Sequence, residues 1–258
     1  MKQKKIISHI TQWLIDYIKG CSQKGFVVGI SGGIDSAVTS TLCARTGYPT
    51  LCIEMPIYQK ENEMDRSKKH IKWLKKQFDN IEEHKLDLSL TFDSFIKNID
   101  ENKNLNNALA LANTRSRIRM MTLYYFAQIN NYLVVGTGNK VEDFGIGFFT
   151  KYGDGGVDIS PIADLLKTDI YLLAKELNID KLIISAEPTD GLWDNEKTDE
   201  DQIGATYPEL EWAMNFHGDK TMISKRQQKV LEIYTNLNKI NQHKMRAIPV
   251  CKIPNHLK

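Results

Sequence analysis

Two periods govern the apolar positions of this chain. Between residues 5 and 19 they recur every three or four residues, at Ile7, Ile10, Leu14, Tyr17 and Ile18, which is the spacing of one helical face. The next run, GFVVGI from Gly25 to Ile30, is short, continuous, β-branched and bounded by glycine, the pattern of a buried strand. DSAVTSTLCART then reads as a helix ending at Gly47, and PTLCIEMP as a second strand. ENEMDRSKKHIKWLKKQF sets Ile71, Trp73, Leu74 and Phe78 on one helical face, with its lysines on the solvated side. EEHKLDLSL predicts a weak strand and DSFIKNI a short helix. Leu105 to Asn130 predicts a long helix free of proline and glycine, and YLVVGTGN a further buried strand. Strands and helices thus alternate. That order predicts an α/β chain, a doubly wound parallel sheet with helices on both faces, in a single domain over residues 1–258.

Beyond Gly138 the texture changes. EDFGIGFFTKYGDGGVDISP is rich in glycine, yet it also holds Phe144, Phe148, Phe149 and Tyr152. A linker is rarely this aromatic, so residues 142–160 read as a functional loop. KTDIYLLAKELNI is helical, EPTDGLWDNEKTDED reads as an acidic mobile stretch, and SKRQQKVLEIYTNLNKI as a final helix before a basic tail over 241–258.

Composition removes several classes of function. The 34 basic and 32 acidic residues leave a net charge of +2, too balanced to argue for nucleic acid or membrane as partner. Cys21, Cys43, Cys52 and Cys251 form neither a C-x-x-C pair nor a zinc spacing, which fits a reduced, cytoplasmic chain. No apolar stretch approaches the roughly 20 residues that span a bilayer. The basic, then apolar N-terminus is interrupted by Asp16 and Lys19 and lacks a small-residue cleavage site, so it reads as an amphipathic helix.

The candidate chemistry starts where the first strand ends. In GISGGIDS, Gly32 and Gly33 let backbone N–H groups approach an anion, and the following helix start adds unpaired donors and a positive dipole end. Ser31 and Ser36 add hydroxyls. The loop lacks the lysine of a Walker A motif and the second glycine of the dinucleotide fingerprint. Asp35 is the odd residue, because a carboxylate repels phosphate. It makes sense as a ligand for Mg²⁺ that neutralises the phosphates. The plainer alternative is that Asp35 and Ser36 cap the helix.

Ser-Gly-Gly-Ile-Asp-Ser after a strand resembles the ATP loop of the N-type ATP pyrophosphatases, which include GMP, asparagine and NAD synthetases and several tRNA-modifying enzymes. VVGTGNKVED and GFFTKYGDGGVDISPIADLLK narrow the likeness to the ammonia-dependent NAD synthetases, from Gly29 to about Lys244. The resemblance implies an adenine nucleotide alpha hydrolase-like fold and a homodimer. It implies that Gly29, Ile30, Ser31, Gly32, Gly33, Ile34, Asp35 and Ser36 bind ATP, with Thr137, Lys167 and Thr189. It implies Mg²⁺ on Asp35 and Glu142, and deamido-NAD on Arg117, Lys151, Asp158, His243 and Lys244. Between Glu142 and Phe148 the chain is one residue longer than some relatives. The implied reaction is amidation of deamido-NAD through an adenylated carboxylate, with free ammonia as nitrogen source, since only about 25 residues precede the first strand. Ammonium must lose a proton before it attacks, and Asp154 is the candidate acceptor by resemblance and by chemistry. Glu142 and Asp143 could instead be loop caps, and His9, His70, His84, His217 and His256 show no ligand spacing. Two rivals stay open: a tRNA-modifying ATP pyrophosphatase, and a non-catalytic module that senses ATP.

Overall fold

The computed structural model describes residues 2–99, 107–189 and 198–258. Its sheet grows outward from the GFVVG run. β1 (Gly25–Gly29) pairs in parallel with β2 (Thr50–Glu54) on one side and β4 (Tyr132–Val134) on the other, and β3 (Ile81–Lys85) joins beyond β2. The order is β3-β2-β1-β4, all parallel, with Phe26 opposite both Thr50 and Leu133. From β1 the chain winds outward through α2 (Ile34–Ala44) and α3 (Glu61–Gln77). It then returns past β1 through α4 (Ser89–Lys97) and α5 (Asn107–Asn130). The winding therefore reverses between β1 and β4, and the Gly-rich loop leaves the carboxyl end of β1 at that point, where open α/β sheets bind ligands.

Strand alternation feeds two cores. Phe26, Val28, Cys52 and Leu133 point to one face, where they meet α1 (Lys2–Cys21), α2, α3, α6 (Lys167–Glu176) and α7 (Lys181–Ile184). Val27, Leu51, Ile53 and Val134 point to the other, against α4 and α5. β1 is buried on both faces, which is why its sequence is continuously apolar rather than alternating. The doubly wound α/β expectation is what the backbone shows.

A third apolar cluster stands beyond the sheet. It joins Val141 and Ile146 to α8 (Asp199–Ile203), α9 (Tyr207–Met214) and α10 (Lys225–Met245). Two expectations are corrected in this region. The tail does not begin at 241, because α10 runs on through Met245 and carries His243 and Lys244 in its last turn. The segment after Gly138 is not loop throughout, because Val141–Ile146 forms a π-helical turn. A π turn takes up one more residue than an α turn. Residues 105 and 106 of the expected long helix and most of the acidic stretch, 190–197, lie outside the described residues. No helix among the described residues is long and apolar enough to cross a membrane.

Candidate active site

The loop between β1 and α2 is held open by its neighbours. Gly32 takes φ +82°, and a Cβ there would stand 2.6 Å from the Glu63 carbonyl oxygen, so only glycine fits. Arg66 Nε donates to the Gly32 oxygen at 3.1 Å and pins the turn to α3. Ser36 Oγ donates to the Gly33 oxygen at 3.0 Å, and Ser31 Oγ accepts from Gly33 N at 3.2 Å. No side chain caps α2. The capping role allowed for Asp35 is therefore not the one it plays.

Asp35 instead reaches across the sheet's end. Its Oδ2 accepts from Lys167 Nζ at 2.6 Å and its Oδ1 from Asn139 Nδ2 at 3.2 Å. The same ammonium donates to Glu142 Oε1 at 3.0 Å, and Tyr207 Oη donates to that oxygen at 2.6 Å. Lys167 is 3% exposed, so one cation stands buried between two carboxylates. Burial pushes Asp35 up, with Lys167 opposing and Glu142 adding to the shift. Burial also acts against Glu142's charge, but Lys167 and the Tyr207 hydroxyl outweigh it and hold that carboxyl below its usual range. For Lys167 burial is outweighed by the two acids, and its pKa rises far above the ordinary value.

This trio sits in a cavity of about 300 Å³. Every residue expected at ATP except Gly32 lines it, Thr137 and Thr189 included, as does Asp154. Sequence reading missed several more. Asp143 also lines it, and burial together with the charges of Glu142, Asp154 and Asp35 pushes its carboxyl up to about 8. Ser116 Oγ donates to Asp154 Oδ1 at 2.6 Å, and Thr150 N donates to the same oxygen at 3.0 Å. Asp154 Oδ2 accepts no hydrogen bond among the described residues, and burial raises this carboxyl's pKa. Eight acids and four bases line the cavity. Such a site cannot take polyanions unless cations come with them.

Mg²⁺ fits this arrangement. The Lys167 ammonium already marks the place of a cation between Asp35 and Glu142. Among the described residues no cluster of three or more protein ligands could cage a metal. Two carboxylates completed by phosphate oxygens and water are the usual manner of holding Mg²⁺.

The residues expected at deamido-NAD stand apart from this cavity. Arg117 Nε donates to the Lys151 oxygen at 3.2 Å, Lys151 Nζ to the His243 oxygen at 2.6 Å, and Lys244 Nζ to the Phe149 oxygen at 2.7 Å. α5, the second loop and the end of α10 thus meet in one basic cluster, where burial lowers the pKa of Lys244. Asp158 is elsewhere, accepting from Val134 N at 2.8 Å and from Tyr124 Oη at 2.9 Å. It ties the second loop to β4.

Comparison with known proteins adds a family. The sequence profile described as NAD synthase matches residues 6–248. The chain is 39% identical over 233 residues to an NH(3)-dependent NAD(+) synthetase of Mycoplasma genitalium, covering 89% of each chain. Among solved structures it resembles NMN synthetase from Francisella tularensis, with TM-score 0.85, 31% identity and 99% of both chains covered. It also resembles the NH3-dependent NAD synthetase from Campylobacter jejuni, with TM-score 0.78, 26% identity, and 98% of this chain and 100% of the other covered.

Proposed function

The chain belongs to the NAD synthase family, and we propose on that footing that it is a ligase making NAD⁺ from deamido-NAD, ATP and ammonia. The observation that carries the reading is the buried Lys167 shared by Asp35 and Glu142 at the mouth of the Gly-rich loop. A loop that only senses ATP has no need of a second buried carboxylate there.

In the first step a nicotinate carboxylate oxygen attacks the α-phosphorus of ATP. The bond to the β-phosphate breaks and pyrophosphate leaves. No base is required, since the nucleophile is already an anion. Backbone donors of Gly32 to Ser36 cradle the departing phosphates, and Lys167 moves its charge from Asp35 toward them. Mg²⁺ would be held by Asp35 and Glu142 and would supply the charge that lets two polyanions share the cavity. In the second step the nitrogen of ammonia attacks the acyl carbon, the carbon–oxygen bond breaks and AMP leaves. Asp154 takes the proton that ammonium must first lose. It is suited to this because it lines the cavity and because Ser116 and Thr150 grip one carboxylate oxygen and leave the other without a donor among the described residues.

We place deamido-NAD across the basic cluster of Arg117, Lys151, His243 and Lys244, reaching the cavity with its nicotinate end. We also propose a homodimer. Met121, Tyr125 and Ile129 recur every four residues along α5, each more than half exposed, and form an apolar stripe.

A second reading is favoured by the likeness to NMN synthetase at 31% identity over 99% of both chains. In it the same carboxylate is activated on the mononucleotide. One assay separates the two. Purified protein with ATP and Mg²⁺ is given deamido-NAD or nicotinate mononucleotide, each with ammonium or glutamine, and the products are weighed by mass spectrometry. NAD⁺ from deamido-NAD and ammonium at the higher kcat/KM is expected. Preferred formation of NMN would transfer the assignment to the mononucleotide, and no amide from either would end both readings.

A further inference from the structure

Tyr207 is the first residue of α9 and is 3% exposed. The backbone fixes it firmly. Thr206 and Glu209 close a capping box around the helix start, Arg226 of α10 grips both Glu209 oxygens at 2.6 Å, and Tyr207 N donates to Glu200 Oε1 at 2.8 Å. Its ring and its hydroxyl then reach two different members of the ATP site. The ring lies under the Lys167 ammonium, 4.6 Å from centroid to Nζ. The hydroxyl donates to Glu142 Oε1 at 2.6 Å, the shorter of its two acceptor contacts, with Asp199 Oδ2 at 3.3 Å.

The consequence lies at the other oxygen of Glu142. Oε1 already serves two donors, Tyr207 and Lys167. The Asn139 amide also interacts with this carboxylate, and no described residue meets hydrogen-bond geometry at Oε2. A carboxylate gripped at one oxygen can present the other in only one direction. Partners of this kind, one bond removed from a ligand, set how well a metal is held.

We propose that Tyr207 is a positioning residue for the metal end of the ATP site: its hydroxyl fixes the Glu142 carboxylate so that Oε2 faces the cation, while its ring supports the Lys167 ammonium beside it. The inference rests on the ATP-dependent ligase reading, but its test does not need turnover. Mn²⁺ is titrated into the protein bound to the non-hydrolysable analogue α,β-methylene-ATP, and free Mn²⁺ is read by electron paramagnetic resonance. Tyr207→Phe keeps the ring and fills the same space, so its melting temperature should stay close to wild type. Its Mn²⁺ Kd should rise by about tenfold or more. The double variant Tyr207→Phe, Glu142→Gln should bind Mn²⁺ no more weakly than Glu142→Gln alone, because the hydroxyl acts through that carboxylate. A Y207F Kd within about threefold of wild type overturns the proposal, as does an equal further loss in the Glu142→Gln background. If wild type makes no amide but Y207F still loses Mn²⁺, the ligase reading fails while this one stands.

Discussion

Replacing Lys167 by methionine takes the shared ammonium out from between two buried carboxylates. Nζ lies 2.6 Å from Asp35 and 3.0 Å from Glu142, and the residue is 3% exposed. At an effective dielectric constant near 20, each contact carries a gross attraction of about 6 kcal/mol, much of it offset by lost hydration. Removing the shared cation leaves both acids buried and uncompensated, a change that costs about 3–5 kcal/mol. Methionine keeps most of the stem's volume, so little of the loss is packing. In a chain of this length that loss should lower Tm by about 6–15 °C. Two controls identify the cause. Mg²⁺ should restore more stability to Lys167→Met than to wild type, because a divalent cation can stand where the ammonium stood. The deficit should also shrink from pH 8 to pH 5. Burial raises the pKa of an unpaired carboxyl above its unfolded value, so the penalty is present above the folded pKa and fades as protonation removes the charge. Calorimetric melts at both pH values, with and without Mg²⁺, measure all of this. A Tm within about 2 °C of wild type at pH 8, or a deficit indifferent to both Mg²⁺ and pH, refutes the argument.

Asp154→Asn should keep the Ser116 and Thr150 contacts at one oxygen and lose the proton acceptor; kcat/KM for ammonium should fall more than tenfold with KM for ATP unchanged, and a value within about threefold of wild type rules the role out. His70 stacks on Trp73 and pairs with Ser40 Oγ at 2.9 Å, and burial lowers its pKa from 6.5 to about 4. The unfolded chain therefore takes up a proton near pH 6.5 that the folded chain refuses, and stability falls by about 3 kcal/mol between pH 6.5 and 4. Urea unfolding at pH 7.5 and 4.5 should show this loss in wild type beyond that in His70→Gln; equal losses in the two proteins would contradict it. Charging the α5 stripe with Met121→Glu and Tyr125→Glu should shift the mass in light scattering from twice 29.5 kDa to once that value, and a wild-type monomer at micromolar concentration would remove the dimer.

What was legible in the sequence was local. The strand, loop and helix from Gly25 to Ala44 declare themselves because the apolar run, the glycines and Asp35 are contiguous. The residues expected at ATP were placed by resemblance to motifs, and all of them but Gly32 line one cavity. The partners were not legible, because they come from far along the chain. Asn139 meets Asp35 across 104 residues, Tyr207 meets Glu142 across 65, and Ser116 meets Asp154 across 38. α9 was overlooked although Thr206-x-x-Glu209 with Pro208 in the first turn is a readable helix start. That oversight hid Tyr207. Nor does the sequence reveal that Lys151 and Lys244 donate to backbone carbonyls and hold the second loop against α10, since any lysine in a mixed-charge chain is as easily solvated.

The central claim is that the carboxylate oxygen itself attacks the α-phosphorus. Deamido-NAD labelled with ¹⁸O in its nicotinate carboxylate tests it most directly. With ATP, Mg²⁺ and ammonium, mass spectrometry should find one ¹⁸O in AMP and none in pyrophosphate. ADP and labelled inorganic phosphate, or AMP without label, would contradict the adenylating mechanism.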